Sequence, residues 1–342
     1  MNLLLIGNYF SGPGHNHNVW QDLAVHLPKI GFGVITTSSK AKKIPRLLDM
    51  LKTIWLCRNN YQIAQIDVFS GQAFIFAECS ARLLQALNKP FVLTLHGGNL
   101  PKLALQNPQR VKKLLNIAKR VIAPSHYLRE QMSKYRPDVI LIPNPLELSK
   151  YPFILRKSPE PKLIWLRSFH EIYNPSLAPR VLAKLLSEFP EAHLTMIGPD
   201  KGDGSRQNTE RVIEELRLPH HVEIRGGISK SDVPEALSQG DIFINTTHID
   251  NTPISVMEAM ACGLCVVSTN VGGIPYLLDD GVNALLVPPN DPQSMACAIS
   301  RIMTEPGLAE NISTCARQKT EGFDWSFILP KWESLFQEIV NE

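Results

Sequence analysis

Apolar runs of a few residues alternate along the chain with longer stretches in which apolar positions recur every three or four. Residues 3–6 are continuous Leu and Ile, Gly7 ends them, and a loop bearing Gly12 and Gly14 follows. Over 19–28, Trp20, Leu23, Ala24 and Leu27 share one helical face, so the opening reads strand, loop, helix. Similar runs at 34–37, 65–69, 91–95, 120–123 and 139–142 predict further strands. The pattern restarts with strands at 162–166, 193–197, 222–225, 242–245 and 265–268, separated by helices at 176–189, 210–216, 233–238 and 254–261. Strands alternating with helices imply parallel sheets covered on both faces. With no fixed period of about 20 to 50 residues, two successive Rossmann-like halves fit better than a solenoid. Residues 144–161 carry four prolines and little periodicity, so they read as an interdomain linker. Over 325–340 helical spacing returns for a last helix, which Pro330 is expected to bend.

Composition narrows the class. A chain of 342 residues has room for about two domains, and 44% hydrophobic with 20% charged residues excludes disorder, collagen and coiled coil. No apolar run approaches the roughly 18 residues of a spanning helix. The opening residues lack the basic flank and length of a signal peptide, so the chain is expected in the cytosol. Six scattered cysteines in a chain of this size need no disulfides; Cys262 and Cys265 have redox or zinc spacing but lead straight into an apolar strand, which favours packing. The net charge of +3 hides an asymmetry: residues 1–155 hold 19 Lys and Arg against 7 Asp and Glu, and residues 156–342 hold 16 against 25. A first half at +12 suits an anionic partner.

Candidate chemistry gathers in the second half. Thr252 and Pro253 read as an N-cap and first-turn proline ahead of Ile254, and the N–H groups and dipole of such a helix start can hold a phosphate. Asp250 precedes that helix and Glu258 lies about two turns along it, although alone the first could be a turn residue and the second a surface residue. The run Asp250-Asn-Thr-Pro-Ile-Ser-Val-Met-Glu258-Ala-Met-Ala-Cys-Gly, continuing through Gly272-Gly273 to Pro288, strongly resembles the donor-binding segment of retaining glycosyltransferase family 4. Leu95-His96-Gly97, Ala123-Pro-Ser125, Ile142-Pro-Asn144, Ile197-Gly198 and Gly226-Gly227 extend the resemblance over most of the chain.

The resemblance implies an α/β fold of GT-B type, two Rossmann-like domains facing a central cleft. Residues 1–150 would bind acceptor and 156–322 a nucleotide-sugar, with 323–342 a helix returning to the first domain. Glu258 would hold the ribose hydroxyls, Asp250 would touch the transferred sugar, and Arg167 would pair with the diphosphate. His96 would bond a sugar hydroxyl; Gly12 and Gly14 would let the backbone approach the diphosphate. Gly97, Gly198, Asn251, Thr252, Pro253 and Ile254 complete the implied donor set. Two departures stand out: the family commonly has Glu at the Asp250 position, and a Lys shortly after the Arg where this chain has His170 through Asn174. His170 or Asn174 could stand in for that cation.

No Asp-x-Asp occurs, and His15 with His17 lacks a third ligand, so no metal is expected. Two basic amphipathic segments, with Lys42, Lys43, Arg46, Lys52 and Arg58 in one and Arg110, Lys112, Lys113, Lys119 and Arg120 in the other, fit an anionic membrane surface or simply solvated helix faces. No nucleic-acid-binding motif accompanies the charge. The expected activity is retaining transfer of a sugar from a nucleoside diphosphate, with uridine favoured on family frequency alone, to a glycan or lipid-linked acceptor. The expected placement is cytoplasmic, or peripheral on the inner face of the membrane. A nucleotide-sugar epimerase of the same fold and a non-catalytic sugar-nucleotide-binding protein are the alternatives.

Overall fold

The computed structural model describes residues 1–9 and 19–342. The chain divides into two compact units, Met1–Pro145 together with Trp325–Glu342, and Leu146–Asp324.

The first unit is built on β1 (Asn2–Ile6), β2 (Gly33–Thr37), β3 (Ile63–Val68), β4 (Phe91–Leu95), β5 (Arg120–Ala123) and β6 (Ile140–Leu141), all parallel in the order β2-β1-β3-β4-β5-β6. Every residue of β3 and β4 is buried, as expected of parallel strands covered by helices on both faces. One face packs on the helices Lys43–Leu56 and Phe74–Ala86 through Met50, Ile54, Ala77 and Leu84. The other takes the helix Trp325–Asn341, whose Ile328, Trp332 and Phe336 join Leu3, Leu5 and Val92 in one apolar layer. That helix runs through Pro330.

The second unit carries β7 (Lys162–Leu166), β8 (His193–Ile197), β9 (Val222–Arg225), β10 (Ile242–Asn245), β11 (Cys265–Thr269) and β12 (Leu285–Val287), parallel in the order β12-β11-β10-β7-β8-β9. Read from the other edge this is the doubly wound dinucleotide-binding order, which reverses direction between β7 and β10. β12, three residues at the sheet edge, is too short for its sequence to announce. Where a helix was expected over 176–189 it spans Leu177–Leu185, and the one expected over 210–216 starts earlier, at Ser205.

The proline-rich stretch expected to link the halves is instead seated on the second unit. Arg156 is 4% exposed, pairs with Asp241 at 2.9 Å and donates to the Gly240 carbonyl at 2.8 Å. Prolines signal the lack of regular structure there, but not the buried guanidinium that fixes the path. Cys262 and Cys265 are both buried free thiols; burial, opposed in part by Arg156, pushes each up to about 12, so they pack rather than react.

Candidate active site

In open α/β sheets ligands bind beyond the carboxyl ends of the strands where the order reverses, and the ends of β7 and β10 form that point in the second unit. Arg167 follows β7 directly, and its N–H donates to the Ile197 carbonyl at 3.0 Å. A Cβ at Gly198 would collide with the Arg167 carbonyl oxygen, so glycine is what lets the chain after β8 pass this close. Beyond β10 the chain runs to Asp250 and into the helix Ile254–Ala261. Gly272 and Gly273 lie against the carbonyls of Asp250 and Asn251, where a Cβ at either would collide. The Gly273 N–H donates to the Asp250 carbonyl at 2.8 Å, which fixes the loop.

This loop brings Arg167 and Asp250 into an ion pair through Nη2 and Oδ2, with side chains only 15% and 13% exposed. The guanidinium also lies 4.1 Å from the centre of the Tyr173 ring, and Asp250 Oδ1 accepts from the Asn251 N–H at 2.8 Å. Two groups that the family resemblance assigns separately, one to the diphosphate and one to the sugar, thus hold each other. Such a pair keeps both side chains in place, and a ligand phosphate can compete for the guanidinium.

Pro253, not Thr252, is the N-cap of the helix: its φ of −69° and ψ of 118° are extended, so helical backbone begins at Ile254 and the expected first-turn proline sits one position earlier. The Pro253 side chain makes no capping hydrogen bond at this end. Thr252 Oγ1, Ser255 Oγ and Arg167 Nε are buried and, among the described residues, have no hydrogen-bond partner. An unsatisfied buried donor costs about 1–3 kcal/mol. Thr252 and Ser255 flank the start of this helix, with its positive dipole end, and Arg167 is tied to the preceding loop through Asp250, so the three are a set that an anion would satisfy.

Glu258 lies further along the same helix and is 3% exposed, which removes the surface-residue alternative. Its Oε1 accepts from the Tyr151 hydroxyl at 2.7 Å and from Lys230 Nζ. Sequence reasoning missed both partners: Tyr151 lies in the stretch read as a linker, and Lys230 follows β9 with only the Gly226-Gly227 pair nearby as a signal. Asn174 adopts a left-handed φ of 45° and donates to Asn290 Oδ1 at 2.9 Å, while His170 Nδ1 accepts from the Ile172 N–H at 3.1 Å. Both side chains are therefore engaged locally.

The first unit carries its own polar cluster at the carboxyl ends of β3 and β4. Asp67 Oδ1 accepts from His96 Nε2 at 3.0 Å and from Gln65 Nε2 at 2.8 Å, and Gln65 also reaches Thr94 Oγ1 at 2.9 Å. The His96 ring stacks on Phe69 with centroids 5.0 Å apart. Asp67 Oδ2, Gln65 Oε1 and the Tyr9 hydroxyl are buried without a partner among the described residues. Burial, then the Asp67 carboxylate, push the Tyr9 phenol well above its ordinary range. Gly97 follows with φ of 85° and open space where a Cβ would stand. Gly12, Gly14, His15 and His17 lie outside the described residues.

The family model described as glycosyl transferases group 1 matches residues 150–319, and the one described as glycosyltransferase family 4 matches residues 12–150. This chain is a family 4 glycosyltransferase. It is 22% identical over 283 residues to a phosphatidyl-myo-inositol mannosyltransferase of Mycolicibacterium smegmatis, covering 80% of this chain and 70% of that one. It is 25% identical over 170 residues to a D-inositol 3-phosphate glycosyltransferase of Corynebacterium jeikeium, 48% of this chain but 41% of the relative. Among solved structures, the sucrose-phosphate synthase of Thermosynechococcus elongatus superposes with a TM-score of 0.82 at 18% identity, over 99% of this chain and 98% of that one. The Anabaena protein HepE in complex with UDP and glucose gives 0.77 at 16% identity, over 99% and 100%. The family 4 enzyme described here thus has the GT-B fold, two parallel six-stranded sheets each covered by helices.

Proposed function

We propose that this enzyme transfers a hexosyl group from a UDP-sugar, with retention of anomeric configuration, to a hydroxyl of a glycan or lipid-linked acceptor. The observation that carries the donor reading is the set of three buried donors without a hydrogen-bond partner among the described residues, Thr252 Oγ1 and Ser255 Oγ at the start of a helix and Arg167 Nε on the side chain paired with Asp250 just before it, at the reversal point of a dinucleotide-type sheet. A diphosphate would satisfy all three. The bonds would strengthen as charge builds on the departing nucleoside diphosphate, the condition for accelerating the chemical step. Glu258, fixed by Tyr151, would accept from the ribose hydroxyls, with Lys230 moving aside or sharing its oxygen. Asp250 would orient the transferred sugar, and His96, held by Asp67, would bond a sugar hydroxyl.

In the transfer itself the bond from the anomeric carbon to the diphosphate oxygen breaks, and a bond to the acceptor oxygen forms on the same face. The acceptor proton passes to the departing phosphate, giving the glycoside and UDP. No enzymatic nucleophile and no metal are assigned. HepE, described with UDP and glucose, and the relatives named for inositol-containing acceptors support a UDP donor and a hydroxyl acceptor. A cytoplasmic enzyme working beside the inner face of a membrane fits the +12 first half. Titration of the full chain with UDP, GDP and ADP by calorimetry tests the donor: UDP binding tightest supports it, and preference for either other nucleotide rejects it.

A further inference from the structure

The two basic segments of the first unit differ once their packing is known. The helix Pro108–Asn116 turns Val111, Leu114 and Leu115 into the core, and Arg110 is taken up by Glu78 at 2.6 Å. Arg120, just beyond it, is paired with Glu338 and Glu342. That segment is an ordinary amphipathic helix with its cations partly neutralised.

The helix Lys43–Leu56 is different because it has two apolar faces. Met50 and Ile54 fill the core and satisfy the packing need of one helix. Yet Ile44, Leu48 and Trp55 are 74%, 62% and 50% exposed, and at spacings of four and seven they form one lateral stripe. Leu56, 62% exposed, follows at the end of the helix, turned about 100° away from that stripe. Among the described residues none of Lys42, Lys43, Lys52 and Arg58 is in an ion pair; Lys43 Nζ donates to Gln72 Oε1, Arg58 Nη1 donates to the Trp55 carbonyl at 2.8 Å, and the Arg58 guanidinium lies 4.7 Å from the centre of the Trp55 ring. Asp49, the helix's one acid, accepts from Ser38 Oγ at 2.6 Å. Lys42 is the N-cap and Lys43 begins the helix, so two cations sit at the positive end of the dipole with no acid in the first turn. That arrangement disfavours the isolated helix and is relieved by an external anion.

We propose that this lateral face of the helix Lys43–Leu56 seats in the interfacial layer of an anionic phospholipid bilayer, with Ile44, Leu48 and Trp55 among the acyl chains and Lys42, Lys43, Lys52 and Arg58 on the headgroups. Exposed Trp and aliphatic side chains rimmed by cations that no acidic side chain among the described residues neutralises are the chemistry of an interfacial helix. The purpose rests on the membrane-proximal acceptor proposed above; the observation does not. The positive charge of this face favours the bilayer over a second copy of this chain, whose identical face would repel it.

The test is co-sedimentation of the full chain with neutral phosphatidylcholine vesicles and with vesicles that also contain phosphatidylglycerol. The wild type should bind the anionic vesicles and lose binding as salt is raised. I44S/L48S/W55S should lower partitioning at least about tenfold with its melting temperature unchanged, since these side chains are exposed. K42E/K43E/K52E should lower it by roughly 100-fold or more, at about fivefold per basic residue. K112E/K113E, on the other helix, should leave it near wild type. Donor turnover with a soluble acceptor should survive all three sets, which separates this surface from the donor site. Wild-type binding by I44S/L48S/W55S, equal partitioning to neutral and anionic vesicles, binding to neither, or a dimer that the triple variant abolishes without vesicle binding would each overturn the proposal.

Discussion

Arg167→Ala separates a structural role of this residue from a role in transfer, because it should damage both in distinguishable amounts. The Arg167–Asp250 pair is largely covered, with side chains 15% and 13% exposed. Removing one partner of a fully buried pair costs about 3–5 kcal/mol; the remaining solvent access at Asp250 brings the expected stability loss to about 1–3 kcal/mol. Loss of the guanidinium stacked on Tyr173 lies within that range. For transfer, removing a donor aimed at developing negative charge costs about 2–4 kcal/mol, or roughly 30- to 1,000-fold in kcat/KM. R167A/D250N distinguishes the two: neutralising Asp250 removes the stranded carboxylate and should restore most of the melting temperature, while turnover stays low. Thermal unfolding and UDP release in the presence of acceptor are the assays. Full activity in Arg167→Ala would mean that the diphosphate is misplaced, and recovery of activity together with stability in the double variant would reduce Arg167 to a structural role.

Three further outcomes are expected. Glu258→Gln should weaken donor binding roughly tenfold, on the scale of one charge-assisted bond, whereas Asp250→Ala should lower kcat more than donor affinity; identical losses in both would contradict the division of roles. EDTA should leave activity unchanged, and a loss that magnesium or manganese restores would reverse the metal-independent reading. With thiols pushed up to about 12, Cys262 and Cys265 should resist a thiol reagent at pH 8 in the folded chain while exposed Cys297 reacts, and fast labelling of all three would point to a looser core.

Much of this architecture could be read from residue patterns because its causes are local. The strands β1, β4, β7 and β10 are nearly continuous apolar runs, a direct consequence of burial on two faces, and the helix Ile254–Ala261 spans the range its sequence indicated. The edge strand Leu285–Val287 was missed because three residues hold no period. The Glu258 partners were missed for another reason: Tyr151 is 107 residues away and Lys230 is 28, and pairing at such separation leaves no local trace. The Arg167–Asp250 pair, 83 residues apart, likewise emerges only once β7 and β10 lie side by side. The N-cap moved by one residue because it depends on the ψ of Pro253.

Transfer of a sugar from UDP with retention is tested by supplying a UDP-α-hexose and a hydroxyl acceptor to the full chain and following both products by proton NMR. UDP and an α-glycoside should appear in equal amounts, only when acceptor is present. A β-glycoside, or conversion of the donor to an epimer without release of UDP, would contradict it.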